Sequence, residues 1–371
     1  MKKAFSLFLA MLMVFSLCAC GSSNSGSSNN GGSEQAAPAQ SSSDEKATIT
    51  DVELLGGTST VGYVATAISE VVTKNSPAVR LSAVGTNGAE ANVGQMQKKG
   101  DTTHATFMAS TATYKSAVHA KGAFDGQTPE EHIRLLGGFM FGVNGFVTVD
   151  PTIKSLEDLD GKTVAMVADT LPQTMCTQLF KNLGINVKIE TMGFNDQFDA
   201  MGDGIVDACM YFGTMATSLS DPLIPVSALQ EVVANHKNQV WAISIPGDLI
   251  DKAVEDAGLA DFWPYVPVMA VPGSLSEAQT DPFGVYGAVT ACFCCWDDLD
   301  EDLAYEITKT LCENVNSLGD YFNSIENLTA EEMVAMLAAV VDSENEVHPG
   351  ALKYYKESGL WSSFESSPYA N

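Results

Sequence analysis

Four short runs of small and hydroxyl residues carry the chemistry of this chain: GGTSTVGY at 56–63, GTNGAE at 85–90, MASTATY at 108–114 and VADTLPQT at 167–174. Each follows an apolar, strand-like run and opens a helix-like one. The first N–H groups of a helix have no intrahelical acceptor, so such turns hold anions. Glycine lets the backbone approach closely, while Ser, Thr and Asn add donors. GGTSTVGY has neither the Gly-Lys-Ser/Thr ending of a phosphate loop nor the full dinucleotide-binding spacing followed by an acid. A carboxylate is the better match. One such turn alone is an ordinary strand-to-helix connection, but four together argue for a cleft lined with neutral donors.

Catalysis would require a nucleophile with a base, or a metal set. The chain has no G-x-S-x-G elbow, no HExxH and no Cys/His pair in a telling arrangement, so a non-enzyme without cofactor or metal is expected. His104 and His119 lie in no ligand spacing. Arginine, the usual bidentate partner of a carboxylate, occurs only at Arg80 and Arg134. After Cys20 the cysteines are Cys176, Cys209, Cys292, Cys294, Cys295 and Cys312. CFCC lies in an alternating, strand-like run without CxxC spacing or nearby His, so core thiols are expected rather than a metal site.

The elements that must position the turns alternate. TITDVELLGG, VRLSAV, ATFMA and GKTVAM read as strands, VATAISEVVTKN and LPQTMCTQLFKNLGI as helices, and IRLLGGFMFGVNGFVTVD as two strand candidates. This pattern predicts α/β architecture with mostly parallel strands, and ligands beyond their carboxyl ends. From DDLDEDLAYEITKTLCENV onward the chain reads as mostly helical.

The N-terminus indicates location. Lys2 and Lys3 precede the apolar FSLFLAMLMVFSL, too short for an ordinary membrane span. Ala19 before Cys20 resembles a lipobox, so residues 1–19 are expected to be a lipoprotein signal peptide, with Cys20 lipidated. A plain secretory signal or an uncleaved anchor is the alternative. Residues 20–47, rich in Gly, Ser and Asn, predict a flexible tether. The body from about Thr48 onward is long enough for two lobes. A net charge of −27 and the lack of a basic stripe disfavour nucleic-acid binding.

Several runs resemble one family. LLGGTSTVGYVATAISEVV, GTNGAEANVGQMQKKG, IKSLEDLDGKTVAM, DGIVDACMYFGT, LDEDLAYEITKTL and EVHPGALKYYKESGL are similar to segments of the TAXI proteins, TRAP-associated extracytoplasmic receptors. The resemblance runs from about residue 50 to 361. It implies a two-lobed, periplasmic-binding-protein-like (type II) Venus-flytrap fold with two crossover strands. Lobe 1 would comprise 48–147 and 270–371, and lobe 2 would comprise 148–269. It further implies a monomeric, lipid-anchored extracytoplasmic receptor that hands a glutamate-like amino acid or dicarboxylate to a TRAP membrane permease. An ABC-type lipoprotein receptor for another small molecule shares fold and anchor, and remains the alternative.

Carried over residue by residue, Gly57, Thr58, Ser59, Thr60, Gly62 and Tyr63 fall on the first ligand turn. Thr86, Asn87, Gly88, Glu90 and Asn92 fall on the second, and Ser110, Tyr114 and Tyr211 on later ones. For Tyr63 and Tyr114 packing and ligand contact are both open. VADTLPQT departs from the family's glycine-rich loop. There Asp169, Thr170 and Gln173 are candidates, with Asp169 either pairing with a ligand ammonium or capping the next helix.

Overall fold

The computed structural model describes residues 49–57, 60–168, 170–215, 219 and 222–370. The expected signal segment, the tether and Cys20 lie outside the described residues, as do Thr58, Ser59 and Asp169.

Strands β1 (Thr50–Leu55), β2 (Val79–Val84) and β3 (Ala105–Ala109) are parallel, with β1 between the other two. Helix α1 (Thr60–Asn75) buries Val64, Ala67, Ile68, Val71 and Val72, a stripe at helical spacing. Its four branched aliphatics contribute roughly 1.5–3 kcal/mol each by leaving water. Helices α2 (Ala89–Met96) and α3 (Thr111–Val118) follow β2 and β3.

β4 (Ile133–Thr148) is one strand of 16 residues, about 50 Å long at ordinary rise, where the sequence reads as two strands. Its glycines do not break it, because they make room for side chains: a Cβ at Gly145 would lie 2.7 Å from the Tyr211 ring. The second set comprises β5 (Thr163–Met166), α4 (Leu171–Leu183), β6 (Lys188–Thr191), α5 (Asp196–Gly202) and β7 (Ala208–Met215). β5 runs parallel to both β6 and β7. Then come β8 (Leu223–Pro225), α6 (Ser227–Asn235), β9 (Trp241–Ile243), α7 (Gly247–Asp256) and β10 (Val266–Ala270). The chain returns through β11 (Phe283–Trp296), then α8 (Glu301–Glu313), α9 (Ala330–Ala335), α10 (Pro349–Glu357) and α11 (Trp361–Glu365).

The sheet order is β2-β1-β3-β11-β4-β7-β5-β6, with β8, β9 and β10 pairing at its sides. β4 and β11 form an antiparallel ribbon from Ile133↔Trp296 to Asn144↔Tyr286. β3 joins that ribbon at Cys292–Cys295, and β7 joins it at Gly142–Val147. Two α/β halves therefore sit at opposite ends of two shared strands, which is a two-lobed fold with two crossover strands. Register shifts at Val289/Ala291 and Ala291/Cys292 fall between the halves, where bulges bend a strand. Thr111 Oγ1 donates to the Val289 carbonyl at 2.7 Å, so the bulge keeps a buried partner.

The C-terminal helices return to the first half. α10 lies against α8 because Gly350 has no Cβ; one there would be 2.2 Å from the Glu301 carbonyl. His348 is buried and caps α10. Its Nδ1 accepts from Gly350 N–H at 3.2 Å, so Nε2–H donates to Leu299 O at 3.0 Å. Burial holds this imidazole below its usual pKa, consistent with a neutral ring.

All six cysteines of the described residues are buried and unpaired. Burial pushes the Cys176, Cys292 and Cys312 thiols up to about 12, far from the thiolate form that reacts. A thiol-specific chromogenic reagent is expected to label none of the six in the native protein within minutes and all six after denaturation. Rapid native labelling of any of them contradicts this packing.

Candidate functional site

The first wall is built on one buried amide. Asn92 is fully enclosed, and its Nδ2 donates to Leu55 O at 3.1 Å, Gly56 O at 3.0 Å and Met108 O at 2.8 Å. Its Oδ1 accepts from Thr86 Oγ1 at 2.5 Å. One side chain thus ties the carboxyl ends of β1 and β3 to the turn between β2 and α2. Thr86 and Asn92 were expected to face a ligand; the structure places them beneath the turn, with their polar atoms committed to the scaffold.

The turn between β1 and α1 is equally constrained. Gly57 has φ +136°, a conformation that side chains disfavour. A Cβ on Gly62 would lie 2.1 Å from the Gly57 carbonyl, so only glycine permits the first turn of α1 to close on the loop. Thr60 is half-buried at the start of that helix, and Asn87 is exposed beside Gly88, the residue before α2.

Ser110 caps α3 by accepting from Thr113 N–H at 3.1 Å. Thr113 Oγ1 donates to Glu90 Oε1 at 3.0 Å, so the Ser110 hydroxyl is the donor in its 3.0 Å contact with Thr113 Oγ1. The remaining lone pairs of Ser110 and Glu90 are left as acceptors. On the second half, Thr170 caps α4: its Oγ1 accepts from Gln173 N–H at 3.2 Å and donates to Val167 O at 3.1 Å. Pro172 has no N–H, which leaves the Leu171 amide at the mouth of that helix.

These elements enclose a cavity of about 400 Å³. One side is Glu90, Ser110 and Ala112; the other is Thr170, Leu171 and Pro172. Its floor is the β4–β11 ribbon, through Gly142, Asn144 and Tyr286–Thr290, and Phe212 and Trp263 complete it. The volume falls within the range of about 300–1,000 Å³ usual for small-molecule sites. Gly142 shapes the floor, since a Cβ there would lie 2.4 Å from the Phe212 ring and 2.8 Å from Thr290 Cγ2. Trp263 stands edge-on to Tyr286 at 5.8 Å, and Phe194 edge-on to Phe212 at 6.4 Å. A larger depression of about 590 Å³, with Lys115 paired to Asp342 at 2.8 Å, shares only Trp263 with this cleft. Among the described residues, none of the four small-residue turns reaches its wall, the nearest lining residue being Lys115, one position past the third.

Other expected site residues lie elsewhere. Tyr63 is 60 % exposed and stacks on Phe322 at 5.7 Å. Tyr114 is buried one turn below Ser110, its hydroxyl bonded to Glu346. Gln173 lines a separate shallow depression between α4 and α7. Tyr211 is buried, and its hydroxyl has no hydrogen-bond partner among the described residues. An unsatisfied buried hydroxyl costs about 1–3 kcal/mol. Tyr211→Phe is therefore expected to keep or raise the melting temperature and to leave ligand affinity unchanged; a clear loss of affinity would return Tyr211 to the site.

Asn144, Phe212, Trp263 and Tyr286 were not anticipated. Asn144 carries a legible signal, a lone amide inside the apolar run FGVNGFV. The aromatic residues carry none, because each looks like ordinary core in sequence. Neither arginine reaches the cleft. Arg80 makes a bidentate pair with Asp51 at 2.6 and 3.1 Å, and Arg134 binds the Glu131 and Ile133 carbonyls at 2.7 and 2.8 Å beside Asp297.

Among solved structures, the chain is similar to MatC from Rhodopseudomonas palustris, determined with bound malate (12% identity, 85% of this chain and 98% of that one, TM-score 0.44). It is also similar to a TctC solute binding protein from Polaromonas (11% identity, 85% and 98%, TM-score 0.47). A third is the periplasmic aliphatic sulphonate binding protein SsuA from Escherichia coli (12% identity, 84% and 88%, TM-score 0.40). At this distance the ligand of each neighbour is a property of that neighbour alone. The family relation is carried by the sequence itself: residues 55–359 match the model of the NMT1-like family, so the chain belongs to the NMT1-like family.

Proposed function

We propose that this protein is a substrate-binding receptor of a membrane transport system that captures a small carboxylate-bearing solute in the cleft between its halves. The observation that supports this most is the shared floor. The β4–β11 ribbon underlies a cavity whose two sides belong to different halves, each offering the N-terminus of a helix. Ligand contacts made from both sides favour the closed arrangement over the open one, and the register shifts in β11 mark where the ribbon bends. In this reading the lobes are 48–147 with 270–371, and 148–269. Thr58, Ser59, Thr60, Asn87 and Asp169 remain proposed ligand contacts, while Thr86 and Asn92 position the turns.

A TRAP-type permease as partner and a lipid on Cys20 are the finer parts of the proposal, supported by the LDEDLAYEITKTL and EVHPGALKYYKESGL resemblance. A thermal-shift screen of amino acids and small organic acids, followed by calorimetry, tests the receptor reading. A binder is expected whose affinity falls at least about tenfold in Asn144→Leu, since a lost polar contact costs about 1–3 kcal/mol. Catalytic turnover of the bound compound, or a binder indifferent to Asn144→Leu, overturns it. Uptake into proteoliposomes carrying the permease is expected to need an ion gradient and not ATP.

A further inference from the structure

We infer that the cleft selects a zwitterionic solute, one carboxylate and one ammonium on an apolar body, in preference to a dicarboxylate or glutamate. The inference rests on the receptor reading above. Three features of the wall carry it together.

The first is charge. Among the described lining residues there is no Lys, Arg or His, and the single charged group is Glu90. Both arginines of the chain are engaged elsewhere, and the undescribed residues of the turns, Thr58, Ser59 and Asp169, supply no cation. A second ligand carboxylate would be desolvated without a countercharge and would face Glu90, an arrangement that costs affinity.

The second is polarity. On the first side Ser110 has spent its proton on Thr113, and Thr113 has spent its own on Glu90, so that corner presents acceptors. Acceptors beside a carboxylate suit an ammonium. On the opposite side the first turn of α4 contains no acid and Leu171 lines the cavity. The α3 N-terminus on the first side already has Glu90 held beside it through Thr113, so the α4 end is the one left for an anion. The ligand's carboxylate belongs there. Asn144, on the floor between, offers both a donor and an acceptor.

The third is the body of the cavity. Phe212, Trp263, Tyr286, Val289, Leu171 and Pro172 form an apolar middle. A polar side chain such as that of glutamate would lose its hydration against these rings without replacing it.

The test is calorimetry on the full soluble chain with five probes: leucine, phenylalanine, glutamate, succinate and 4-methylpentanoate, the last being leucine's carbon skeleton without its ammonium. Leucine or phenylalanine is expected to bind at least about tenfold more tightly than glutamate, succinate and 4-methylpentanoate. Glu90→Gln is expected to remove most of the preference for leucine over 4-methylpentanoate while leaving the melting temperature of the free protein unchanged. Tighter binding of succinate or glutamate overturns this inference and leaves the receptor reading standing. So does equal binding of leucine and 4-methylpentanoate, or a Glu90→Gln variant with the wild-type preference. No binding by any of the five overturns this inference, and the receptor reading is then decided by the wider thermal-shift screen.

Discussion

Asn92→Leu is expected to destabilise the protein by about 3–5 kcal/mol, among the largest effects of any single substitution in this chain. Leucine keeps the branching and heavy-atom count of asparagine but is bulkier, so lost hydrogen bonding is joined by overpacking at this enclosed site. Three carbonyls, those of Leu55, Gly56 and Met108, and the Thr86 hydroxyl lose their shared buried partner at once. Each such group costs about 1–3 kcal/mol when left unsatisfied, with part of the total recovered by local relaxation. Denaturant unfolding measures it: the midpoint should fall with an unchanged slope. Thr86→Val removes one contact of the four and should cost about 1–2 kcal/mol. If Asn92→Leu costs no more than Thr86→Val, the amide is not the tie between β1, β3 and the second turn. Affinity should fall in Asn92→Leu even where the protein remains folded, because the turns lose their common anchor.

Gly142→Val is expected to abolish ligand binding while the chain still folds. Its Cβ would lie 2.4 Å from Phe212 Cε2 and 2.8 Å from Thr290 Cγ2, so one of these side chains must move. Phe212 borders the cavity, and displacement of its ring into that space is the route that leaves the ribbon intact. Overpacking of this kind costs about 1–3 kcal/mol, which a body with so large a core tolerates. The measurement pairs a lowered melting temperature with the disappearance of the ligand-induced shift. Gly94→Ala is the matched control: nothing lies within 4 Å of its Cβ position, and the residue sits within α2. It should raise stability by about 0.4–1 kcal/mol and leave binding alone. Wild-type affinity in Gly142→Val would remove the cavity floor from the site.

The charge pattern has a consequence for how such a protein holds its ligand. With both arginines occupied away from the cleft, an anion there would meet, among the described residues, backbone amides, hydroxyls, the Asn144 amide and helix N-termini but no cationic side chain. These contacts are short-ranged and depend on geometry, so affinity should respond to the positioning of the turns more than to ionic strength. That is why a fully buried amide such as Asn92, which touches no ligand, is expected to matter for binding.

How far the sequence could be read varied with the range of the interactions involved. Local periodicity and turn chemistry were enough for the alternating strands and helices, the small-residue turns at helix starts and the buried character of CFCC, because each depends on neighbours within one or two turns of chain. The same local reading divided β4 in two, since glycines in a strand look like interruptions until the rings that occupy their vacant side are known. The family resemblance, carried over residue by residue, counted Thr86, Asn92, Tyr114 and Tyr211 with the ligand-facing residues. Type and position made them plausible donors, but whether a hydroxyl or amide faces a cavity or a carbonyl depends on partners distant in sequence, such as Met108 for Asn92 and Glu346 for Tyr114. The aromatic floor of the cleft was invisible for the same reason.

What the sequence by itself determined is the α/β alternation, the neutral, arginine-poor chemistry of the turns and the membership of residues 55–359 in one family. The tertiary structure alone decided which of those donors remain available and what lies between them. A long β4–β11 ribbon brings together residues more than a hundred positions apart, and only that pairing sets Asn144, Tyr286 and the glycine-seated Phe212 beneath the turns.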